Sequence, residues 1–216
     1  STGDGATTDN GATISELTYL SKVYKATGIE AYKTSFLKGI DYLIEAQYPN
    51  GGWPQFYPLR DDYSRHITYN DGSMVNIMRV MKAISEQNDA YIIVEEEAIL
   101  KRVREAYEKG VRVFLATQYR QEGILTVWCA QHHEETLEPA GARTYELPSL
   151  SGKESAGIVL FLMEIQDPSP EVTDAIQSAV RWFEKTKIQG IRVEFDQTEE
   201  GLRDKRVVED ANAPAL

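Results

Sequence analysis

One unit recurs about three times along the chain, and this repetition limits the possible folds more than any other feature of the sequence. Each unit is a helical hairpin, in which a Gly-bearing turn leads into an amphipathic helix and a second helix runs out at another Gly. The first copy pairs ATISELTYLSKVYKATG with EAYKTSFLKGIDYLIEAQYPNGGWPQFYP, and the second pairs SMVNIMRVMKAISEQ with ILKRVREAYEKGVRVFLATQYRQEGILTVW. The third reads KESAGIVLFLMEIQDPSPEVTDAIQSAVRWFEKTKIQGIRVEF. Apolar residues in the second helices fall three and four apart, as in Tyr42, Leu43 and Ala46 or Val111, Phe114 and Leu115, the stripe of a helix buried on one side. The starts at Gly11, Gly72 and Gly152 are 61 and 80 residues apart (72 minus 11, 152 minus 72), and the ends at Gly52, Gly123 and Gly190 are 71 and 67 apart (123 minus 52, 190 minus 123). Such drift places insertions in the loops and argues against a strict solenoid. Three helix pairs whose loops vary at one end predict an all-α fold of the α/α toroid type, in which inner helices form the core and the loops at one rim form a cleft. A plain helical bundle is the alternative.

Composition allows such a core. A chain of 216 residues can bury roughly 70% of its unfolded surface in one domain. With 42% hydrophobic and 26% charged residues and a mean hydropathy of -0.42, it reads as globular, and no run approaches the roughly 18 apolar residues of a membrane span. Cys129 is the only cysteine, which excludes an internal disulfide and a thiolate metal cluster. The formal charge is -11, from 34 acidic and 23 basic residues, and no basic run carries interleaved aromatics, so nucleic acid is not an expected partner. An anionic substrate would need something other than net charge to bring it in, and a divalent cation is the simplest candidate.

The chemistry-bearing residues gather before the helices. An Asp/Asn pair and a Gly precede the first helix of two hairpins, as Asp9, Asn10 and Gly11 and as Asn70, Asp71 and Gly72. Asp9 and Asp71 have two readings: ordinary helix caps, or hard oxygen ligands for Ca2+ at corresponding points of one rim. Two carboxylates do not fill the six to eight positions of that ion, so water, carbonyls or an acidic substrate would have to complete it. Arg143 lies shortly before the third hairpin, where it is either a surface ion-pair partner or a further rim group. Trp53, Phe56, Tyr57, Tyr63, Tyr69, Trp128 and Tyr145 lie in the two long rim loops, where they either stack on sugar faces or pack the loops against the helices. His66, His132 and His133 are expected to be structural or exposed, and Cys129 to be a small buried hydrophobe.

Five stretches, DNGAT, QYPNGGWPQFYPL, ITYNDGSM, GILTVWCAQHH and ARTYELPSLSGKES, in this order and at these separations, closely resemble polysaccharide lyase family 10, pectate lyases built as an (α/α)3 toroid. The motifs span almost the whole chain and are specific together, although pieces such as GGW also occur in other α/α toroids. The resemblance implies Ca2+-dependent β-elimination on polygalacturonate, leaving a 4,5-unsaturated product, by a secreted or periplasmic enzyme expected to be a monomer. It assigns calcium and substrate binding to Asp9 and Asp71, the catalytic base to Arg143, and substrate contacts to Asn10, Trp53, Asn70, Trp128 and Tyr145. Family members continue past the third hairpin with arginines for substrate carboxylates, whereas this chain ends at Leu216. Residues 1–216 are therefore expected to be a single catalytic domain cut at both ends, its toroid of three hairpins incomplete at the C-terminus. Two other functions stand beside the lyase: binding of acidic polysaccharide without turnover, and hydrolysis of glycosidic bonds by a carboxylate pair.

Overall fold

The computed structural model describes residues 6–197 and 203–215; Leu216 lies outside them. Six helices form three antiparallel hairpins: α1 (Ala12–Thr27) with α2 (Glu30–Ala46), α3 (Ser73–Ser85) with α4 (Glu97–Thr117), and α5 (Gly152–Met163) with α6 (Pro170–Thr186). α3 packs against both α1 and α5, and α4 against both α2 and α6. The hairpins thus stand side by side in two layers, first helices in one and second helices in the other, as an (α/α)3 arrangement requires.

Local chemistry explains several helix ends. α1 stops where Gly28, in the left-handed region at φ 69°, donates its N–H to Tyr24 O at 2.7 Å, a glycine C-terminal stop. α6 starts with Ser169 Oγ accepting from Val172 N and with Pro170 in its first turn, where a missing N–H costs nothing. Gly51, Gly123 and Gly190 all have positive φ, yet they do not end the second helices, which stop at Ala46, Thr117 and Thr186. The glycines instead form the turns that follow.

The core lies between the layers. α3 buries Met74, Ile77, Met78, Met81 and Ile84, and α4 buries Leu100, Val103, Val113 and Phe114, each set at helical spacing. Gly39 of α2 faces Leu17 of α1, and Gly110 of α4 faces Met78 of α3, so closely that a Cβ at either would collide with that side chain. Close approach within a hairpin is therefore set by a glycine at the same place in the first two copies, 71 residues apart (110 minus 39).

The last carbonyls of an α-helix lack partners inside it, and in α2 and α4 tryptophans supply them. Trp53 Nε1 donates to Leu43 O at 2.7 Å, and Trp128 Nε1 donates to Phe114 O at 2.7 Å. Both indoles are wholly buried. The expectation that Trp53 and Trp128 contact substrate is corrected accordingly: their faces are covered by core side chains and their N–H groups are spent on helix ends. A second device repeats alongside. Gln47 Nε2 donates to Gly51 O and to Ala106 O in α4, both at 2.9 Å. Gln118 Nε2 donates to Thr126 O at 2.7 Å and to Ala175 O in α6 at 2.9 Å. The glutamine after each second helix thus ties its own turn to the second helix of the next hairpin.

The rim loops are knit into small sheets. β1 (Ala6–Thr7) pairs with β2 (Phe56–Tyr57), and β3 (Ile67–Thr68), β6 (Gln131–His132) and β7 (Pro139–Ala140) form a three-stranded antiparallel sheet in the order β3-β6-β7. That sheet joins the loop before α3 to the loop before α5, with Ile67 opposite His132 and Thr68 opposite Gln131. β4 (Arg120–Gln121) and β5 (Ile124–Leu125) make a short hairpin after α4, and β8 (Ile191–Gln197) and β9 (Arg203–Glu209) a longer one after α6. Glu134, nearly buried, forms an ion pair with Arg65, its Oε1 lying 2.7 Å from Arg65 Nε, and pairs with His66 Nδ1 at 2.9 Å, while Asn50 Nδ2 donates to its backbone oxygen at 2.6 Å. His132 is buried, and burial lowers its pKa to about 4, so the ring stays neutral. Cys129 is buried too, which pushes its thiol up to about 11. The structural roles expected for His66, His132 and Cys129 match these placements.

Replacing Trp128 by Ala is expected to lower unfolding free energy by about 3–5 kcal/mol, read as a shift of the urea midpoint. An unchanged midpoint would contradict its place in the core.

Candidate active site

The two Asp/Asn-Gly motifs form near-identical 3-10 turns, Asp9–Gly11 before α1 and Asn70–Gly72 before α3. Asn10 (φ 48°, ψ 24°) and Gly11 (φ 70°, ψ 17°) match Asp71 (φ 52°, ψ 25°) and Gly72 (φ 72°, ψ 15°). Two successive left-handed residues explain the composition: Asn and Asp tolerate that region better than other side chains, and glycine tolerates it freely. The match also corrects the register expected from the motifs. Asp71 corresponds in backbone position to Asn10, and Asp9 corresponds to Asn70, so the two aspartates sit one residue apart in the repeat.

Capping is corrected as well. The N-cap residues of α1 and α3 are Gly11 and Gly72, and neither helix has a side-chain cap. Displaced one residue from the cap, Asp71 turns its carboxylate outward. Its Oδ2 accepts from Asn70 Nδ2 at 2.8 Å, and its Oδ1 pairs with Lys153 Nζ at 2.7 Å. Asp9 Oδ1 accepts from Asn10 N at 3.0 Å. The turns are held together beneath, where Thr8 Oγ1 and Ser73 Oγ hydrogen-bond at 2.6 Å and Asn76 lies against both Gly11 and Gly72.

The third hairpin approaches from the other side. Glu154, buried in the first turn of α5, accepts from Ser151 Oγ and, at 3.3 Å, from Asp71 N. Tyr69 N and Asn70 N both donate to Ala130 O, at 2.8 and 3.1 Å, which fixes the Asn70–Gly72 turn to the strand leading to α5. Asn70, Gln131, Tyr145, Glu146, Ser151 and Glu154 line a cleft of about 470 Å3. Asp71, Asn76, Arg79, Lys153 and Glu154 line an adjoining one of about 190 Å3.

Arg143 stands exposed at this rim and is clamped by Glu146. Its Nε donates to Glu146 Oε2 at 2.9 Å, its Nη2 to Oε1 at 2.5 Å, and its backbone N to Oε2 at 3.0 Å. The hydrogen bond and charge of Glu146 push the guanidinium pKa still higher, with smaller contributions from Tyr63 and Asp71, and the same contacts lower the Glu146 carboxyl to about 2. Asp71 and Arg143 therefore feel each other's charge. Tyr145, next to Arg143, is 93% exposed and free to meet a ligand.

The expected rim residues fall into two groups. Asn70 and Tyr145 line the larger cleft, Asp71 lines the adjoining one, Arg143 is joined to the larger through Glu146, and Asp9 and Asn10 lie on the neighbouring turn, whereas Trp53 and Trp128 belong to the core. Sequence reasoning missed Glu146, Lys153 and Glu154, although all three stand in the ARTYELPSLSGKES stretch that leads into the third hairpin. Among the described residues no group of three or more His, Cys, Asp or Glu could hold a metal ion. Asp71 Oδ1 nevertheless already faces a positive charge, and Asp9 and the Asn10 and Asn70 amides, on two turns that pack together, are oxygen donors of the kind Ca2+ takes.

The sequence profile described as "Pectic acid lyase" matches residues 1–216. A solved family 10 polysaccharide lyase from Cellvibrio cellulosa is 36% identical and superposes with a TM-score of 0.88, the match covering 97% of this chain and 64% of that one. An aspartate-to-alanine mutant of family 10 polysaccharide lyase from the same organism, in complex with trigalacturonic acid, is 35% identical with a TM-score of 0.88, over 97% of this chain and 65% of that one. The chain thus spans a little under two thirds of the length of these solved relatives. Among curated proteins no match is found. With the profile matched along its full length and the helical hairpins superposed, this chain belongs to the pectic acid lyase family.

Proposed function

We propose that the rim carries a calcium-dependent pectate lyase site, which cleaves polygalacturonate by β-elimination. The observation that carries this reading is a cleft lined by Asn70, Tyr145 and Glu146, with Arg143 paired to Glu146 and Asp71 in the adjoining cleft, in a chain similar to a solved lyase mutant in complex with trigalacturonic acid. In the reaction the C5–H bond breaks, its electron pair forms the C4=C5 double bond, and the C4–O bond to the leaving sugar breaks. The leaving oxygen takes a proton from water. The products are a 4,5-unsaturated uronate and a new chain end.

A C5 proton beside a carboxylate is too weakly acidic to leave until the charge developing on that carboxylate is neutralised. Calcium, held by Asp71 and Asp9 with the amide oxygens of Asn10 and Asn70, would supply that neutralisation as a Lewis acid and would bridge an acidic protein to an acidic polymer. Tyr145 offers an open ring face to the sugar. Arg143 is the base in this reading, and Glu146 sets the condition under which it acts. While the pair persists the guanidinium holds its proton, so Arg143 accepts one only after Glu146 is drawn away or at alkaline pH. Such a polymer does not cross membranes, so its cleavage belongs outside the cell or in the periplasm. Among the described residues no helix is long and apolar enough to cross a membrane.

A second reading, calcium-dependent binding without turnover, is favoured by the same ion pair, since a clamped Arg143 can hold a carboxylate without taking a proton. Ultraviolet absorbance of unsaturated uronate, followed on polygalacturonate with calcium and with chelator, separates the two. Lyase action gives calcium-dependent growth of the signal, and binding alone gives calcium-dependent retention without it. Release of reducing ends with no unsaturation would sink both in favour of hydrolysis.

Arg143→Ala is expected to cut turnover by about 10²–10⁴-fold, the contribution of a positioned general base, while retention on polygalacturonate persists. Asp71→Ala is expected to raise the calcium concentration needed for half-maximal rate. Because Glu146 raises the Arg143 pKa, the neutral base is scarce at neutral pH, and the rate should climb with pH through the alkaline range without a plateau near neutrality. A pH-independent rate between neutral and alkaline conditions would remove Arg143 from the role of base.

A further inference from the structure

Both oxygens of Asp71 are already engaged by the protein. Asn70 Nδ2 holds Oδ2 at 2.8 Å and Lys153 Nζ holds Oδ1 at 2.7 Å. The first partner is neutral and adjacent in sequence, and the second is a full positive charge brought from another hairpin. Lys153 lies in the first turn of α5, and its side chain is 75% exposed, with Asp71 the stronger and Glu154 the weaker of the carboxylates acting on it. An ammonium on a flexible four-carbon stem, open to water, leaves its partner at little cost. A dication arriving at Asp71 meets that ammonium first, because the two cannot share Oδ1 without like-charge repulsion. Arg143, also within electrostatic reach of Asp71, is committed to Glu146, so Lys153 is the cation that neutralises Asp71 directly.

We propose that Lys153 is a displaceable counterion of Asp71, a positioning residue that occupies Oδ1 and keeps the carboxylate turned to the rim until a divalent cation takes that oxygen. The inference rests on the calcium role given to Asp71 above. Its consequence is opposite in sign to that of a ligand: loss of Lys153 strengthens cation binding.

The test is calorimetric titration of calcium chloride, without substrate, into the unaltered chain, Lys153→Met, Asp71→Asn and the double variant. Lys153 is exposed, and thermal melting checks that each variant is folded. Lys153→Met is expected to tighten calcium binding by about two- to tenfold, with no such gain when Asp71 is already Asn. Unchanged or weaker affinity in Lys153→Met, with binding in the unaltered chain that Asp71→Asn removes, overturns the inference and leaves the calcium reading standing. Binding that Asp71→Asn does not affect, or no binding to either the unaltered chain or Lys153→Met, overturns both.

Discussion

Unpartnered carbonyls at the ends of α2 and α4 impose a requirement that the rim is built to meet. A buried carbonyl without a donor costs about 1–3 kcal/mol, and both helices end against the core, away from water. The chain answers with indoles that fold back from the following loop, Trp53 to Leu43 and Trp128 to Phe114, while Gln47 and Gln118 tie the same turns onward to the next hairpin. Once these donors are fixed, so are the loops that carry them. β3 and β6 emerge from those loops in register, and Ala130 O then has the Asn70–Gly72 turn within reach. The position of Asp71 thus depends on helix ends in the layer behind it.

The turn at Asp71 adds a local condition. A left-handed residue other than glycine costs roughly 1–2 kcal/mol, and here hydrogen bonds from Tyr69 N, Asn70 N, Asp71 N and Gly72 N offset that cost. The backbone conformation moves the carboxylate off the helix axis, and Gly72 takes the capping position without offering a side chain. A cap and an outward ligand would have demanded different directions from one side chain.

The hairpins were legible in the sequence because a helical stripe leaves its period in the residues, and the six helices fall where that period placed them. The turn motifs were legible as motifs but one residue out of register, since matching Asp to Asp follows chemistry whereas the backbone follows the left-handed pair and its glycine. Trp53 and Trp128 misled for a related reason. An aromatic in a rim loop looks the same in sequence whether it faces a sugar or a helix end, and only the orphan carbonyls, created by folding, decide the direction. Glu146, Lys153 and Glu154 gave no periodic signal: Glu146 pairs within its own loop with Arg143, and the contacts of Lys153 and Glu154 with the Asp71 turn exist only once the second and third hairpins are side by side. The motif resemblance nevertheless led to the family that the profile match assigns.

The one-residue offset between the two turns makes the pseudo-repeat chemically unequal at its most equivalent point. Where the first hairpin presents the neutral amide of Asn10, the second presents the charge of Asp71. Two turns with the same backbone are thereby given different electrostatic faces, and a ligand related to itself by the repeat would not see the same surface twice. A polysaccharide has two unlike ends, and a rim whose two turns carry their carboxylates one residue out of register, at Asp9 and at Asp71, has the asymmetry needed to tell its two directions apart.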